Sequence, residues 1–291
     1  MKPKTTESSL SFSYTPFGPR IMGMTGRFIN IRLMLRELVI GRELIWRFFV
    51  RDFSARYRQA ALGVLWAVIL PVVTVGIFVG MNSAGILKVE GIDVPYTIYA
   101  LVGLTVFNLF NGGILACTQC VVSAENMLKK INFPRTSIVF AASLGAIMDF
   151  FIRSILVIIV FVCYRETPHP IGVFTGLLAI VPLFLLTLGL GFFLGLISGI
   201  MRDISNLLSF ASMGFMLLTP VLYPIEGENL LAKVSYLNPL NYLINVPRDL
   251  ILRGTTDLMT GYMWSVALSV VVFYLGWHLF FIAQTKISER I

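Results

Sequence analysis

The chain has 291 residues, of which 57% are hydrophobic and only 13% are charged, with a net charge of +8 and a mean hydropathy of +0.83. Soluble domains carry about 25% charged residues, so this composition excludes an ordinary soluble protein. The apolar residues fall in long stretches, several of them near the roughly 20 residues that cross about 30 Å of hydrocarbon. The sequence therefore predicts an all-α integral membrane protein.

The first 60 residues change from a polar segment to an amphipathic one. Residues 1–26 are rich in Ser, Thr, Pro and Gly, and we expect a flexible cytoplasmic tail there. Residues 27–60 are predicted to form an amphipathic helix, because apolar side chains recur at three- and four-residue spacing and arginines fall on the other side. This pattern is typical of a helix in the membrane interface. The alternative is a helix packed against the rest of the protein.

Three arginines end this helix, just before the first long apolar run. Arg51, Arg56 and Arg58 would lie at the level of the lipid headgroups, where a guanidinium group is well placed to bind the phosphate of a lipid. The pattern leaves open whether they bind such a phosphate or serve membrane topology alone. Their spacing does not let all three share one helical face.

Six apolar stretches within residues 61–285 are predicted to be transmembrane helices, followed by a cytoplasmic C-terminus, 286–291. Most of the 23 Lys and Arg residues lie before the first stretch, between the second and third, between the fourth and fifth, or after the sixth. The positive-inside rule therefore predicts that both termini are cytoplasmic. The six stretches are Ala61–Met81, Tyr96–Val122, Thr136–Tyr164, Ile171–Ile200, Ile204–Tyr223 and Gly261–Thr285.

Charged residues are rare inside the predicted spans. Asp149 and Arg153 lie four residues apart on one face of the third span, where pairing would lower the cost of burying both charges. We expect a structural ion pair, although ionisable residues at membrane depth also suggest a functional site. No series of carboxylates or histidines runs through the predicted spans. Their absence from the sequence argues against a proton-coupled transporter.

Two further patterns are best explained by helix packing. Cys117 and Cys120 form a C-x-x-C near the end of the second span, and we expect them to be small buried side chains rather than a redox or metal site. Gly191, Gly195 and Gly199 form a small-residue face that favours a close helix contact. The chain has no P-loop motif to cradle ATP phosphates, and we predict neither a catalytic nor a metal site.

Five short motifs occur in a fixed order along the chain. They are R-Y-R-Q-A-A-L-G-V-L-W-A-V-I-L-P at 56–71, N-M-L-K-K-I-N-F-P-R at 126–135, R-D-I-S-N at 202–206, L-T-P-V-L-Y-P at 218–224, and L-N-P-L with a later arginine at 237–248. Together they resemble the membrane subunits of ABC exporters that move lipid-linked polysaccharides, such as O-antigen and teichoic-acid permeases. The resemblance covers roughly residues 35–290. It departs from the family at Asn245, where an acidic residue is common.

The resemblance implies an assembly as well as a fold. It implies a homodimer with six spans in each chain, re-entrant helices between spans five and six, and two copies of a separate ATP-hydrolysing subunit in a bacterial cytoplasmic (inner) membrane. ATP and Mg²⁺ would bind to that partner, so this chain would hold no cofactor of its own. A lipid-linked glycan would be the substrate, and it would enter beside Arg51, Arg56 and Arg58, with Arg56 or Arg58 facing it. Membrane lipids would surround the protein, and no nucleic acid is expected to bind.

The same resemblance implies roles for particular residues. The short loops after spans two and four would dock on the ATPase through Glu125, Asn126, Lys129, Lys130, Phe133, Pro134, Arg135, Arg202 and Asp203. Spans one and five would form the channel, and aromatic rings there could stack on sugars. The candidate channel residues are Trp66, Phe78, Phe210, Phe215 and Tyr223.

Three classes of function remain open from the sequence. The first is the channel-forming subunit of an ATP-driven exporter of an O-antigen-like lipid-linked polysaccharide. The second is a type-two ABC permease for capsule, teichoic acid, a lipid without a glycan, or a drug. The third, a secondary transporter or membrane enzyme that acts alone, lacks both a proton relay and a catalytic constellation in this sequence.

Overall fold

The computed structural model describes residues 11–15, 18–22, 31–58, 65–85, 94–124, 127, 133–201, 203–222 and 230–290. Six residues given functional roles lie outside these ranges: Glu125, Asn126, Lys129, Lys130, Arg202 and Tyr223. The roles predicted for them remain predictions.

Strands occur near the N-terminus, within the segment that the sequence predicts to be a tail. Strand β1, Ser11–Thr15, pairs antiparallel with β2, Gly18–Met22, so that Ser11 lies opposite Met22. The flexibility and the cytoplasmic location of residues 1–26 remain predictions.

The amphipathic segment forms two consecutive helices, α1 (Ile31–Ile40) and α2 (Arg42–Arg58), which meet at Gly41. A Cβ on Gly41 would lie only 2.7 Å from Oγ of Ser137, so glycine allows this corner to approach the following bundle closely. The side chain of Arg58 lies outside the described part of the structure.

Four helical segments in the described part of the chain are long and apolar enough to cross a membrane. The first two are α4 (Tyr96–Ser123) and α5 (Thr136–Tyr164). The third is formed by α6 (Pro170–Ala179) and α7 (Val181–Ser198), and the fourth is Met259–Ala283 within α11 (Met259–Arg290). The protein is therefore a multi-pass membrane protein.

The first and fifth predicted spans coincide with shorter apolar helices. These are α3 (Leu65–Ser83) and α8 (Ile204–Leu218), whose apolar parts are Val68–Ser83 and Ile204–Met216. Both helices pack on α4. The total of six spans thus remains a prediction.

Two short helices connect α8 to α11. They are α9 (Leu230–Leu237) and α10 (Pro239–Arg253). Helix α10 starts where the side chain of Asn238 accepts a 3.0 Å hydrogen bond from the backbone N–H of Leu240, and it ends at Gly254, which has a left-handed φ of 76°. It packs against α4, α6 and α11. This semi-polar segment is therefore a helical part of the bundle, while its re-entrant path remains a prediction.

The core lies around α4, which packs on α3, α5, α7, α8 and α10. The glycine face of α7 lies against it, because a Cβ on Gly191 would lie 2.6 Å from Cβ of Cys117. The predicted close helix contact is confirmed, as is the burial of Cys117 and Cys120. On its other side α7 meets α11, where a Cβ on Gly276 would overlap the carbonyl of Gly189.

Candidate functional site

Helix α2 lies on the bundle rather than apart from it. The ring of Phe48 meets the ring of Phe133 edge-on at 5.3 Å, and the side chains of Phe48 and Phe49 are buried in the protein. Trp46 is 60% exposed. The aromatic residues of α2 are thus divided between protein and surroundings, so one part of its apolar surface packs on the rest of the protein. Its location in the membrane interface remains a prediction.

The C-terminal half of α2 reaches far along α5. Nη1 of Arg56 donates a 2.8 Å hydrogen bond to Oδ2 of Asp149, which lies about 20 Å along α5 from Thr136. Gly145 lies beside this guanidinium, since a Cβ there would make an ordinary van der Waals contact of 3.7 Å with Nη2 of Arg56. The two charged residues are 93 positions apart, and the sequence does not predict their contact. The predicted pairing of Asp149 with Arg153 remains a prediction.

A cavity of about 590 Å³ lies between α2, α4 and α5. Helix α2 contributes the charged side chains of Arg51, Asp52 and Arg56 to its lining, and α4 contributes the polar side chains of Gln119 and Ser123. Helix α5 contributes apolar residues and glycine to the third wall. The structure therefore brings two of the three arginines with a predicted role in substrate access to one cavity.

Each arginine of the cavity lies beside a carboxylate. Nε of Arg51 is 2.7 Å from Oδ1 of Asp52, its guanidinium lies 5.1 Å over the ring of Phe48, and its Nη1 donates to Sδ of Met127 at 3.4 Å. Arg56 is paired with Asp149, as described above. Both guanidinium groups are about half exposed, whereas the carboxylate of Asp149 is only 15% exposed, so a ligand would reach these pairs from the arginine side.

Four of the residues predicted to dock on the ATPase are described by the structure, and they lie just before α5 or α8: Phe133, Pro134, Arg135 and Asp203. Phe133 packs on Phe48, and Arg135 directly precedes α5. Partial burial lowers the pKa of Arg135 from its ordinary value. The side chain still carries a positive charge, because arginine remains protonated in proteins. Asp203 is exposed and directly precedes α8. Docking of these residues on another subunit remains a prediction.

The predicted channel residues fall into two groups. Trp66 on α3 and Phe210 on α8 are exposed, with Phe210 at 83%. Phe78 and Phe215 are half-buried against the core, and Phe215 meets the ring of Phe110 edge-on at 6.3 Å. Among the four predicted channel residues that the structure describes, Trp66 and Phe210 are the more accessible to another molecule.

Arg248 is a residue to which the sequence assigns no role, although it closes the last of the five motifs. Helix α8 ends at Leu218, since Thr219 is extended and Pro220 cannot continue the hydrogen-bonding pattern. Nη1 of the buried Arg248 donates to the carbonyl of Val221 at 3.0 Å and lies 3.4 Å from that of Pro220. Its guanidinium therefore satisfies backbone groups where the helix ends.

Asn245 lies one turn before Arg248, and both side chains are buried. Nδ2 of Asn245 donates to Oδ1 of Asn241, so the position that departs from the family pattern belongs to a short polar contact inside α10. The amide of Asn245 is uncharged, so residue 245 supplies no negative charge to balance the buried guanidinium of Arg248.

Comparison with known proteins agrees with this architecture. The chain is 23% identical over 261 residues to the O-antigen export system permease protein RfbA of Myxococcus xanthus, an alignment that covers 89% of this chain and 99% of that protein. The family model described as ABC-2 type transporter matches residues 43–252, from the start of α2 almost to the end of α10. This match covers α2, the apolar helices α3 to α8, and the α10 segment that carries Arg248. The chain therefore belongs to the ABC-2 type transporter family, as a transmembrane permease subunit.

Proposed function

We propose that this protein is the channel-forming subunit of an ATP-driven exporter of a lipid-linked, O-antigen-like polysaccharide. Two copies of the chain would pair with two copies of an ABC ATPase in a bacterial cytoplasmic membrane, with all chain termini on the cytoplasmic side. Helices α3 and α8 would be the first and fifth of six spans. ATP and Mg²⁺ would bind to the partner, so hydrolysis would take place there and not in this chain.

The observation that carries this proposal is the cavity between α2, α4 and α5. It places two guanidinium groups, those of Arg51 and Arg56, beside helices that are apolar enough to cross a membrane. A lipid-linked glycan fits this arrangement. Its tail would stay in hydrocarbon beside the apolar helices, and its phosphate would remain at the headgroup level near the arginines. Guanidinium groups bind phosphate with paired, charge-assisted hydrogen bonds. The name of the Myxococcus relative supports the same class of substrate.

The remaining candidate residues fit the proposed cycle. Trp66 and Phe210 are exposed on the two helices that would line the channel, where aromatic rings can stack on sugars without a deep binding minimum. The segment with Met127, Phe133 and Arg135 would dock on the ATPase. Because Phe48 and Arg51 of α2 contact Phe133 and Met127, movement of that segment would also reach the cavity.

A second candidate function is export of another cargo by the same kind of assembly, such as capsule, teichoic acid, a lipid without a glycan, or a drug. The charged cavity favours any lipid that carries a phosphate, whereas an uncharged drug would gain nothing from Arg51 and Arg56. Competition between these cargoes in one transport assay would rank them.

The first experiment tests dependence on a partner. The purified chain should hydrolyse ATP no faster than background, and it should copurify with a coexpressed ABC ATPase whose activity rises when polyprenyl-pyrophosphate glycan is added. Arg56→Ala should reduce this stimulation roughly tenfold, because a hydrogen bond between charged groups contributes about 1.5–3 kcal/mol. Intrinsic ATP hydrolysis that persists after removal of contaminants would refute the proposal.

A further inference from the structure

The carboxylate of Asp149 occupies a hydrogen-bond donor of Arg56 that a bound phosphate could also use. Its Oδ2 accepts a 2.8 Å hydrogen bond from Nη1 of Arg56, and its side chain is only 15% exposed, compared with 45% for Arg56. The pair therefore has one face toward the interior, at α5, and one face toward the cavity, at α2. A ligand that approaches Arg56 from the cavity meets a guanidinium whose hydrogen bonds are already partly used.

The chemistry of the two anions decides which of them Arg56 prefers. A carboxylate has two oxygens and one charge, whereas a phosphate or pyrophosphate ester presents more oxygens and more charge to the planar guanidinium. The Arg56 side chain is half exposed, so little rearrangement is needed for a ligand to reach it. The other pair of the cavity differs, because Asp52 and Arg51 are neighbours on α2 and their 2.7 Å contact connects no second helix.

We propose that Asp149 is an internal competitor for the phosphate group of the lipid-linked substrate. It holds Arg56 in the empty transporter, and a phosphate ester that enters the cavity displaces it. This inference rests on the proposed function, since it assumes that the cavity receives the phosphate of a lipid-linked molecule. Release of Asp149 also breaks an ionic contact between α2 and α5, so binding of the substrate would weaken the attachment of the C-terminal end of α2 to α5.

Asp149 could instead orient Arg56 for the ligand, and that role predicts the opposite change in binding when the carboxylate is removed. A carboxylate that only orients Arg56 for the ligand would strengthen binding, and its removal would weaken it. A carboxylate that competes with the ligand weakens binding, and its removal would strengthen it. The sign of the change in Kd after removal of the charge therefore separates the two roles.

The test measures binding of a fluorescent polyprenyl phosphate to the full chain in phosphatidylcholine nanodiscs, with the matching polyprenol as the control for the lipid tail. Asp149→Asn should lower the Kd by roughly fivefold, which corresponds to about 1 kcal/mol. The same change in an Arg56→Gln background should have no effect. Asp149→Ser provides a second variant that removes the charge, and thermal unfolding of each variant establishes that it is folded.

Glu43 supplies a matched control. Its carboxylate pairs with Arg47 at 2.7 Å on the same helix, but both side chains are exposed and neither lines the cavity. Glu43→Gln should leave the Kd unchanged. A Kd that rises or stays the same in both Asp149 variants would overturn the inference, while leaving phosphate binding by the native chain intact.

Two further comparisons identify the source of the phosphate. Inorganic pyrophosphate should displace the probe, and it should do so at a lower concentration in Asp149→Asn. Phosphatidylglycerol should bind without sensitivity to Asp149, and equal sensitivity would assign the cavity to membrane phospholipid and overturn the inference. Equal binding of polyprenol and polyprenyl phosphate by the native chain would overturn the proposed phosphate recognition itself.

Discussion

The guanidinium of Arg248 lies 3.8 Å from the ring centroid of Tyr99, which joins α10 to α4 at the place where α8 ends. The same guanidinium donates to the carbonyl of Val221. One buried side chain of α10 thus contacts both the span α4 and the backbone that follows α8. Its charge is partly balanced by the aromatic face and by backbone carbonyls, which both favour a cation.

Replacement of Arg248 by Met should destabilise the fold. The carbonyls of Pro220 and Val221 would lose their charged donor, at a cost of about 1.5–3 kcal/mol, and the Tm should fall by roughly 5–10 °C. Arg248→Lys should give a smaller decrease, because lysine keeps the charge but lacks the planar guanidinium. Thermal unfolding in nanodiscs measures both, with the exposed Arg47→Met as control. An unchanged Tm in Arg248→Met would show that the contact is energetically neutral.

Gly103 should not tolerate alanine. A Cβ there would lie 2.6 Å from the carbonyl oxygen of Val221 and 3.1 Å from Nη1 of Arg248, and such overpacking costs about 1–3 kcal/mol. Gly112 is on the same helix with no atom within 4 Å of an added Cβ, so Gly112→Ala should be neutral or slightly stabilising. Comparison of the two melting temperatures tests the close approach of α4 to the end of α8, and equal values would contradict it.

Substitutions of Phe215 and Phe210 should have different effects, the first on stability and the second on transport. Phe215→Ala removes an edge-on contact with Phe110, worth about 0.5–1.5 kcal/mol beyond the lost burial, and should lower the Tm. Phe210 is almost fully exposed, so Phe210→Ala should leave the Tm unchanged but reduce export if its ring contacts the glycan. Phe210→Trp should retain export. Normal export by Phe210→Ala would remove this residue from the channel.

The loop before α5 should be needed for transport and not for folding. Simultaneous replacement of Glu125, Lys130 and Arg135 by Gln should abolish export while membrane insertion and dimerisation remain intact, because these residues are proposed to dock on the ATPase. Insertion, dimerisation and export are measured in the same membranes. Normal export by the triple variant would leave the loop as a topology signal alone.

The helical framework follows closely from the sequence, because the length of an apolar run is a local property. The second predicted span, Tyr96–Val122, differs by one residue from α4, and the third coincides with α5. The burial of Cys117 and a close helix contact at Gly191 were each predictable, since small residues at four-residue spacing favour close helices, but their contact with each other was not.

The contacts that give the site its chemistry were not predictable in the same way. The partner of Arg56 is 93 residues away, and only the crossing of α2 over α5 brings it close. Arg248 finds its carbonyls through the end of α8, 27 residues earlier. Sequence periodicity predicts which face of a helix is buried but does not identify the helix that packs against it. These contacts could therefore be found only from the structure.

Transport by the complete assembly would show whether this chain is the channel of an ATP-driven exporter. The chain and its ABC ATPase are reconstituted in proteoliposomes, and transfer of a fluorescent lipid-linked oligosaccharide between leaflets is measured with and without ATP. We predict that transfer requires both proteins and hydrolysable ATP, and that Arg56→Ala reduces it while Arg47→Ala does not. Transfer by the chain alone, or transfer that is indifferent to ATP, would contradict the proposal that this protein is the passive channel of an ATP-driven exporter.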